Sequence, residues 1–118
     1  MGFLHAGHAS LIKESAAEND VTLTTIFVNP LQFAADEDLS DYPRDLESDL
    51  QLCKEAGATV VLTPNVEEMY SQPTMTTVTV SELSAAMEGE QRPTHFAGVA
   101  TVVAKLFHIG GRCRAYFG

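Results

Sequence analysis

Hydrophobic and polar positions along this chain follow two periods, and the switches between them predict its elements. Residues 9–18 contain neither glycine nor proline and carry Leu11, Ile12, Ala16 and Ala17, which predicts a short helix ending near Asn19-Asp20. Residues 21–28 are rich in β-branched side chains and predict a buried strand. That strand stops at Asn29-Pro30, because proline cannot donate to a central ladder. The polar segment 29–42 is long for a simple connection and is a candidate functional loop, with Asp36, Glu37 and Asp38 as a solvated face. Pro43 suits a first helical turn, and Leu46, Leu50 and Cys53 form an apolar stripe on a helix over residues 44–56. Asp49 on that helix is expected to face solvent, with a metal role as the alternative, and Gly57 to cap the helix. Residues 58–63 predict a second buried strand, broken by Pro64-Asn65, and residues 66–70 a single helical turn.

Threonine and valine alternate over residues 76–80, which predicts a peripheral strand. Ser81 with residues 83–87 suggests a short capped helix, followed by a polar loop over residues 88–95. Residues 96–109 are helical again, with a stripe of Val99, Val102, Val103, Leu106 and Phe107 and a stop at Gly110-Gly111. Lys105 and His108 near its end complement the helix dipole, and His95 and His108 are expected to be structural or exposed. Residues 114–118 predict a last strand. Strands alternating with helices imply an open, largely parallel α/β sheet within one partial domain over residues 1–118, and such sheets bind ligands beyond the carboxyl ends of their strands. The chain opens in a loop and closes inside a strand, as an internal fragment would.

Composition narrows the function classes. A formal charge of −9 repels polyanions, so neither nucleic acid nor an anionic membrane is an expected partner. No apolar run approaches the ~20 residues of a bilayer span and no signal-peptide layout is present, which reads as cytoplasmic. Cys53 and Cys113 match no metal or redox spacing and are expected to be reduced thiols.

The chemistry concentrates in residues 1–8, where MGFLHAGH runs into the first predicted helix. A helix start presents unpaired N–H groups and partial positive charge, a seat for phosphate. Gly7 lets backbone approach a ligand, while His5 and His8, about one turn apart, point to one side and can donate to phosphate oxygens. Further along, IFVNPLQF occupies residues 26–33, DYPR residues 41–44, EGEQRPTHFAGV residues 88–99, TVVAKLF residues 101–107 and RAYFG residues 114–118.

Together, in this order, these blocks resemble the pantothenate synthetase family of the nucleotidylyltransferase superfamily, and the likeness covers nearly the whole chain. The resemblance implies a Rossmann-like fold, a parallel sheet with flanking helices, here lacking its first strand and its C-terminal part. It also implies an AMP-forming ligase of coenzyme A biosynthesis: pantoate's carboxylate attacks the α-phosphorus of ATP, and β-alanine then displaces AMP from pantoyl adenylate. ATP enters as substrate with Mg²⁺ as its companion, and the family generally forms homodimers. By the same resemblance His8 is the proton donor with His5 beside it, and Met1, Gly2, Phe3, Leu4, His5, Ala6, Gly7 and His8 line the ATP pocket. Gln32 holds pantoate and β-alanine, while Asn29, Tyr42, Glu88 and Arg92 are weaker pocket candidates. Metal ligands are not assigned. Family members continue past Gly118 into a Glu-Lys-Asp segment and a second nucleotide loop, and residues 109–113 replace a proline-containing turn. The 118 residues alone are therefore expected to show little or no ligase activity. The alternatives are another nucleotidylyltransferase, or a non-catalytic remnant or subunit of this fold.

Overall fold

Two units build up from the chain, one from residues 1–28, 43–64 and 112–118, the other from residues 29–42 and 65–111. The structure, a computed structural model, describes residues 1–33, 39, 42–81 and 94–118. The expected helix over residues 83–87, the acids Asp36, Glu37 and Asp38, and the loop residues Glu88 and Arg92 lie outside the described residues.

In the first unit helix α1 (Ala6–Glu18) starts earlier than its apolar pattern predicts, because His5 acts as its N-cap. Strands β1 (Leu23–Thr25) and β2 (Val60–Leu62) pair in parallel, with Leu23 opposite Val60 and Thr25 opposite Leu62. Helix α2 (Leu46–Ala56) begins at Asp45, whose carboxylate accepts the Ser48 N–H at 3.0 Å, so Pro43 and Arg44 precede the helix rather than opening it. A side-chain cap of this kind is worth about 1 kcal/mol. Gly57 ends α2 in the left-handed region at φ 98°, as its position predicts. Ile12, Ile26, Cys53 and Ala56 form the core, with Leu4, Ala9, Leu52, Ala58 and Val61 packed against it.

Further expectations for this unit need correction. Both strands are shorter than their β-branched runs, and Leu23 and Val60 are exposed, while burial shifts to Ile26 and Phe27 just beyond β1. The buried face of α2 is Asp49, Cys53 and Ala56, not Leu46, Leu50 and Cys53, because helix and core meet along small residues. Residues 114–118 join no ladder; Arg114 and Tyr116 instead bond the Glu18 carboxylate, each at 2.6 Å, and Asn19 donates to the Tyr116 hydroxyl at 2.8 Å.

In the second unit Asn29 caps a 3₁₀ turn (Pro30–Gln32), Asn65 and Glu68 form a reciprocal capping box on the short helix α3 (Val66–Met69), and helix α4 spans His95–Gly110. Helix α4 lies directly on the 3₁₀ turn. Gly98 makes this approach possible: a Cβ there would sit 2.1 Å from the Leu31 carbonyl oxygen. The buried stripe is accordingly Gly98, Thr101 and Val102, and Phe107 is exposed, because the turn requires a small residue where it touches the helix. Residues 76–80 form no strand; the Thr101 hydroxyl takes the Val78 N–H at 3.0 Å in place of a ladder partner. Lys105 serves α3 rather than its own helix terminus, donating to the Met69 carbonyl at 2.6 Å with its ammonium 5.0 Å from the centre of the Tyr70 ring. Among the described residues no helix is long and apolar enough to cross a membrane.

Candidate functional site

The histidine loop begins with backbone in an unusual conformation. Gly2 at φ 96° and Phe3 at φ 54° both lie in the left-handed region, which costs about 1–2 kcal/mol for a residue with a side chain. Two consecutive N–H groups thereby turn toward one point, and the Asp49 carboxylate occupies it: Phe3 N–H donates to Oδ2 at 2.8 Å and Leu4 N–H to Oδ1 at 2.6 Å. Asp49 is 3% exposed, so the expectation of a solvent-facing acid is overturned. A Cβ on Gly2 would meet Asp49 Oδ2 at 3.1 Å and Ile26 Cγ2 at 3.4 Å. That places the loop just past the carboxyl end of β1, where parallel sheets bind ligands.

At the helix start the two imidazoles cap each other's backbone. Gly7 N–H donates to His5 Nδ1 at 3.1 Å, and His5 N–H donates to His8 Nδ1 at 3.3 Å. The ring centres lie 4.1 Å apart at an interplanar angle of 49°, so both rings occupy one side, as their spacing predicts. A nitrogen that accepts an N–H carries no proton of its own, which puts the proton of each neutral ring on Nε2. Desolvation, together with repulsion from His5, holds the His8 pKa below the ordinary histidine value, with partial opposition from Asp49. His8 is thus a neutral Nε2–H donor at pH 7, not a point charge. The structure refines the simple phosphate seat, because the N–H groups of Phe3, Leu4, His5 and Gly7 already have acceptors. The donors this loop keeps are the imidazole edges and the Ala6 N–H at the first turn of α1.

The second unit arranges a different set. Asn29 is completely buried; its Oδ1 accepts from the Tyr70 hydroxyl at 2.8 Å and from Leu31 N–H at 3.3 Å, and its Nδ2 donates to the Gly98 carbonyl at 3.1 Å. This side chain is a bracket for the turn. Gln32 lies at the end of the turn, half-buried, and its backbone carbonyl accepts from His95 Nδ1 at 2.8 Å. Tyr42 stands edge-on to Phe33 with ring centres 5.8 Å apart. Burial raises the Tyr70 pKa, which keeps the hydroxyl a donor to Asn29. Glu88 and Arg92 lie outside the described residues.

Sequence reasoning misses Asp49, Gly98, Tyr70 and His95 as supports. For Asp49 a signal exists, since it sits four residues before Cys53 and seven before Ala56 and so shares their helical face. Among the described residues no three His, Cys, Asp or Glu side chains converge as metal ligands, and both Asp49 oxygens are engaged by backbone. These residues do not form a cage for a divalent ion. Cys53 (buried) and Cys113 (exposed) are free thiols, and desolvation raises the Cys53 pKa, which makes it a poor nucleophile.

Known proteins provide a reference for this geometry. A family profile described as pantoate-beta-alanine ligase matches residues 1–118. Pantothenate synthetases of Brucella anthropi and Rhizobium johnstonii are 58% and 55% identical over the whole chain, which covers 41% and 39% of their lengths. The structure of pantothenate synthetase from Thermus thermophilus matches 92% of this chain with a TM-score of 0.89 at 50% identity, over 40% of its own chain. The Francisella tularensis pantoate-beta-alanine ligase, solved as a complex with beta-gamma ATP and beta-alanine, matches the same share with a TM-score of 0.87 at 40% identity, over 42% of its own chain. The chain thus spans about two fifths of the length of the relatives it matches. By that profile match, the chain belongs to the pantoate–β-alanine ligase family.

Proposed function

We propose that this chain carries the histidine side of an ATP-dependent, AMP-forming condensation of pantoate with β-alanine. The supporting observation is the mutual cap of His5 and His8, which fixes both rings with Nδ1 on backbone and Nε2–H as the remaining donor edge. In the first step a pantoate carboxylate oxygen bonds the α-phosphorus of ATP and the bond to pyrophosphate breaks. In the second the β-alanine amine attacks the acyl carbon and AMP leaves. Negative charge spreads over phosphate oxygens in the first step, so the site mainly needs positioned donors. His8 Nε2–H is the donor and can pass its proton to the departing oxygen; His5 Nε2–H binds beside it. Residues 1–8 would line the nucleotide, and Phe3, with its ring exposed, offers an apolar surface to it.

In this reading Gln32 recognises pantoate and β-alanine, since an amide can donate to a carboxylate and accept from a hydroxyl. Asn29 acts on Gln32 through the turn, and Tyr42, Glu88 and Arg92 are additional pocket residues. Mg²⁺ would neutralise phosphate charge, held by phosphate oxygens and water in the way magnesium usually is. A homodimer and a cytoplasmic location belong to the same reading, on the strength of the family resemblance, and the charge of −9 argues against a nucleic-acid partner.

Calorimetric titration tests the proposal. The chain should bind ATP saturably, His8→Ala and His5→Ala should each weaken that binding, and turnover by the chain alone should be negligible in an AMP-release assay. In an active relative, removing one such donor should lower the rate by about 10²–10³. A folded chain that gives no ATP heat would refute this assignment.

A further inference from the structure

Beyond the proposed reaction, and resting on that reading for its purpose, the loop shows which residue sets the histidines in place. Asp49 reaches Phe3 and Leu4 across 46 and 45 positions of sequence and accepts both N–H groups, at 2.8 and 2.6 Å. It is a charged residue on the otherwise small, apolar face of α2, next to Cys53 and Ala56. A buried carboxylate persists only where its oxygens are satisfied, and here the partners are N–H groups of left-handed backbone. Phe3 has no glycine-like freedom, so an outside contact must hold it at φ 54°. Leu4 leads directly into His5, the N-cap of α1.

We infer that Asp49 is the positioning residue of the histidine loop: its carboxylate fills the backbone concavity of residues 2–4 and thereby orients His5 and His8. The same contact has a second consequence. An anion already occupies the Phe3 and Leu4 N–H groups, so a nucleotide phosphate is directed to the imidazole edges instead of to the strained backbone.

The test is imidazole nitrogen NMR on this 118-residue chain, with circular dichroism confirming helix content. In Asp49→Asn one acceptor becomes a donor that faces a backbone N–H, and in Asp49→Glu the charge stays but moves by a methylene. If Asp49 positions the loop, both variants release it. The mutual cap is lost, the two rings show mixed tautomers, and the His8 midpoint rises toward the free-histidine value of ~6.5 as it regains solvent. If Asp49 acted only as a nearby charge, Asp49→Asn would lower the His8 midpoint further, since Asp49 itself raises it, and Asp49→Glu would match wild type. A lower midpoint with unchanged tautomers overturns the inference. If Asp49→Asn unfolds the chain, Asp49→Glu carries the test alone, and wild-type-like rings in it overturn the inference equally. The readout involves no nucleotide, so failure to bind ATP would count against the proposed function and not against this role.

Discussion

In the unit that carries the histidine loop, a charged side chain from helix α2 holds left-handed backbone two to three residues ahead of the chemistry. In the unit that carries Gln32, a neutral amide, Asn29, sits inside the turn it organises and bonds outward to Tyr70 and Gly98. Both are buried polar groups with long-range partners, but their demands differ. Asp49 only accepts, so it suits two converging N–H groups. Asn29 must accept a hydroxyl and donate to a carbonyl at once, which a carboxylate cannot do. The first arrangement tolerates backbone strain because a charge opposes it; the second relies on close contact between turn and helix.

That contrast makes the second unit the more brittle to added volume. Gly98→Ala places a methyl group 2.1 Å from the Leu31 carbonyl oxygen, and neither turn nor helix backbone can yield without losing the Asn29 bonds. The expected loss is about 3 kcal/mol or more, at the upper end of overpacking effects. Urea unfolding measures it, and a change within about 0.5 kcal/mol would show that α4 and the turn do not meet this way. Next in size is Asn29→Ala, which strips the Gly98 carbonyl and the Leu31 N–H of a buried partner and should cost about 2–3 kcal/mol. Asn29→Asp should not restore this loss, because its carboxylate would face the Gly98 carbonyl oxygen. Recovery in Asn29→Asp would mean that the amide N–H contributes nothing.

How much of this is legible in the sequence follows from the kind of interaction involved. Residues such as Gly57, Asn65 and His5 act within a turn or two of themselves; the local pattern assigns the Gly57 cap, reads Asn65 only as a break, and starts the first helix past His5. The parallel pairing of β1 and β2 also follows, because a helix separates two β-branched runs. What escapes are side chains whose partners lie far along the chain. In sequence Asp49 looks like one more surface acid, and Gly98 like an ordinary helical glycine, since the loop and the turn they meet are 45 and more positions away. The strand expected at residues 76–80 fails for a related reason: its propensity is genuine, but Thr101, not a neighbouring strand, takes its backbone. For the site, residue types are legible and their hydrogen bonds are not. The pattern assigns the histidines to phosphate, yet half of their ring nitrogens serve the backbone.

The smallest effects are titrations, and His8 and Tyr70 should act with opposite sign. The His8 pKa is depressed by desolvation, so the folded state binds fewer protons than the unfolded state near the free-histidine value. Stability from His8 is then fully present above ~6.5 and is lost as pH falls through the lower folded value. Tyr70 is shifted upward by burial, so its contribution is present below ~10 and is lost as pH rises through the higher folded value. Glu18 and Asp45, both lowered by hydrogen bonds, add acid sensitivity only below about 4, while the Met1 amine, lowered by desolvation, acts with the same sign as His8 from below ~8, and Cys53, raised by desolvation, with the same sign as Tyr70 from above ~9. Urea midpoints across pH should therefore decline on both flanks. His8→Ala should lessen the slope below ~6.5 and keep the alkaline one, while Tyr70→Phe should lessen the slope above ~10 and keep the acid one. A slope below ~6.5 that is unchanged in His8→Ala would mean that the imidazole edge is already solvated, and the neutral donor assigned to His8 would lose its physical basis.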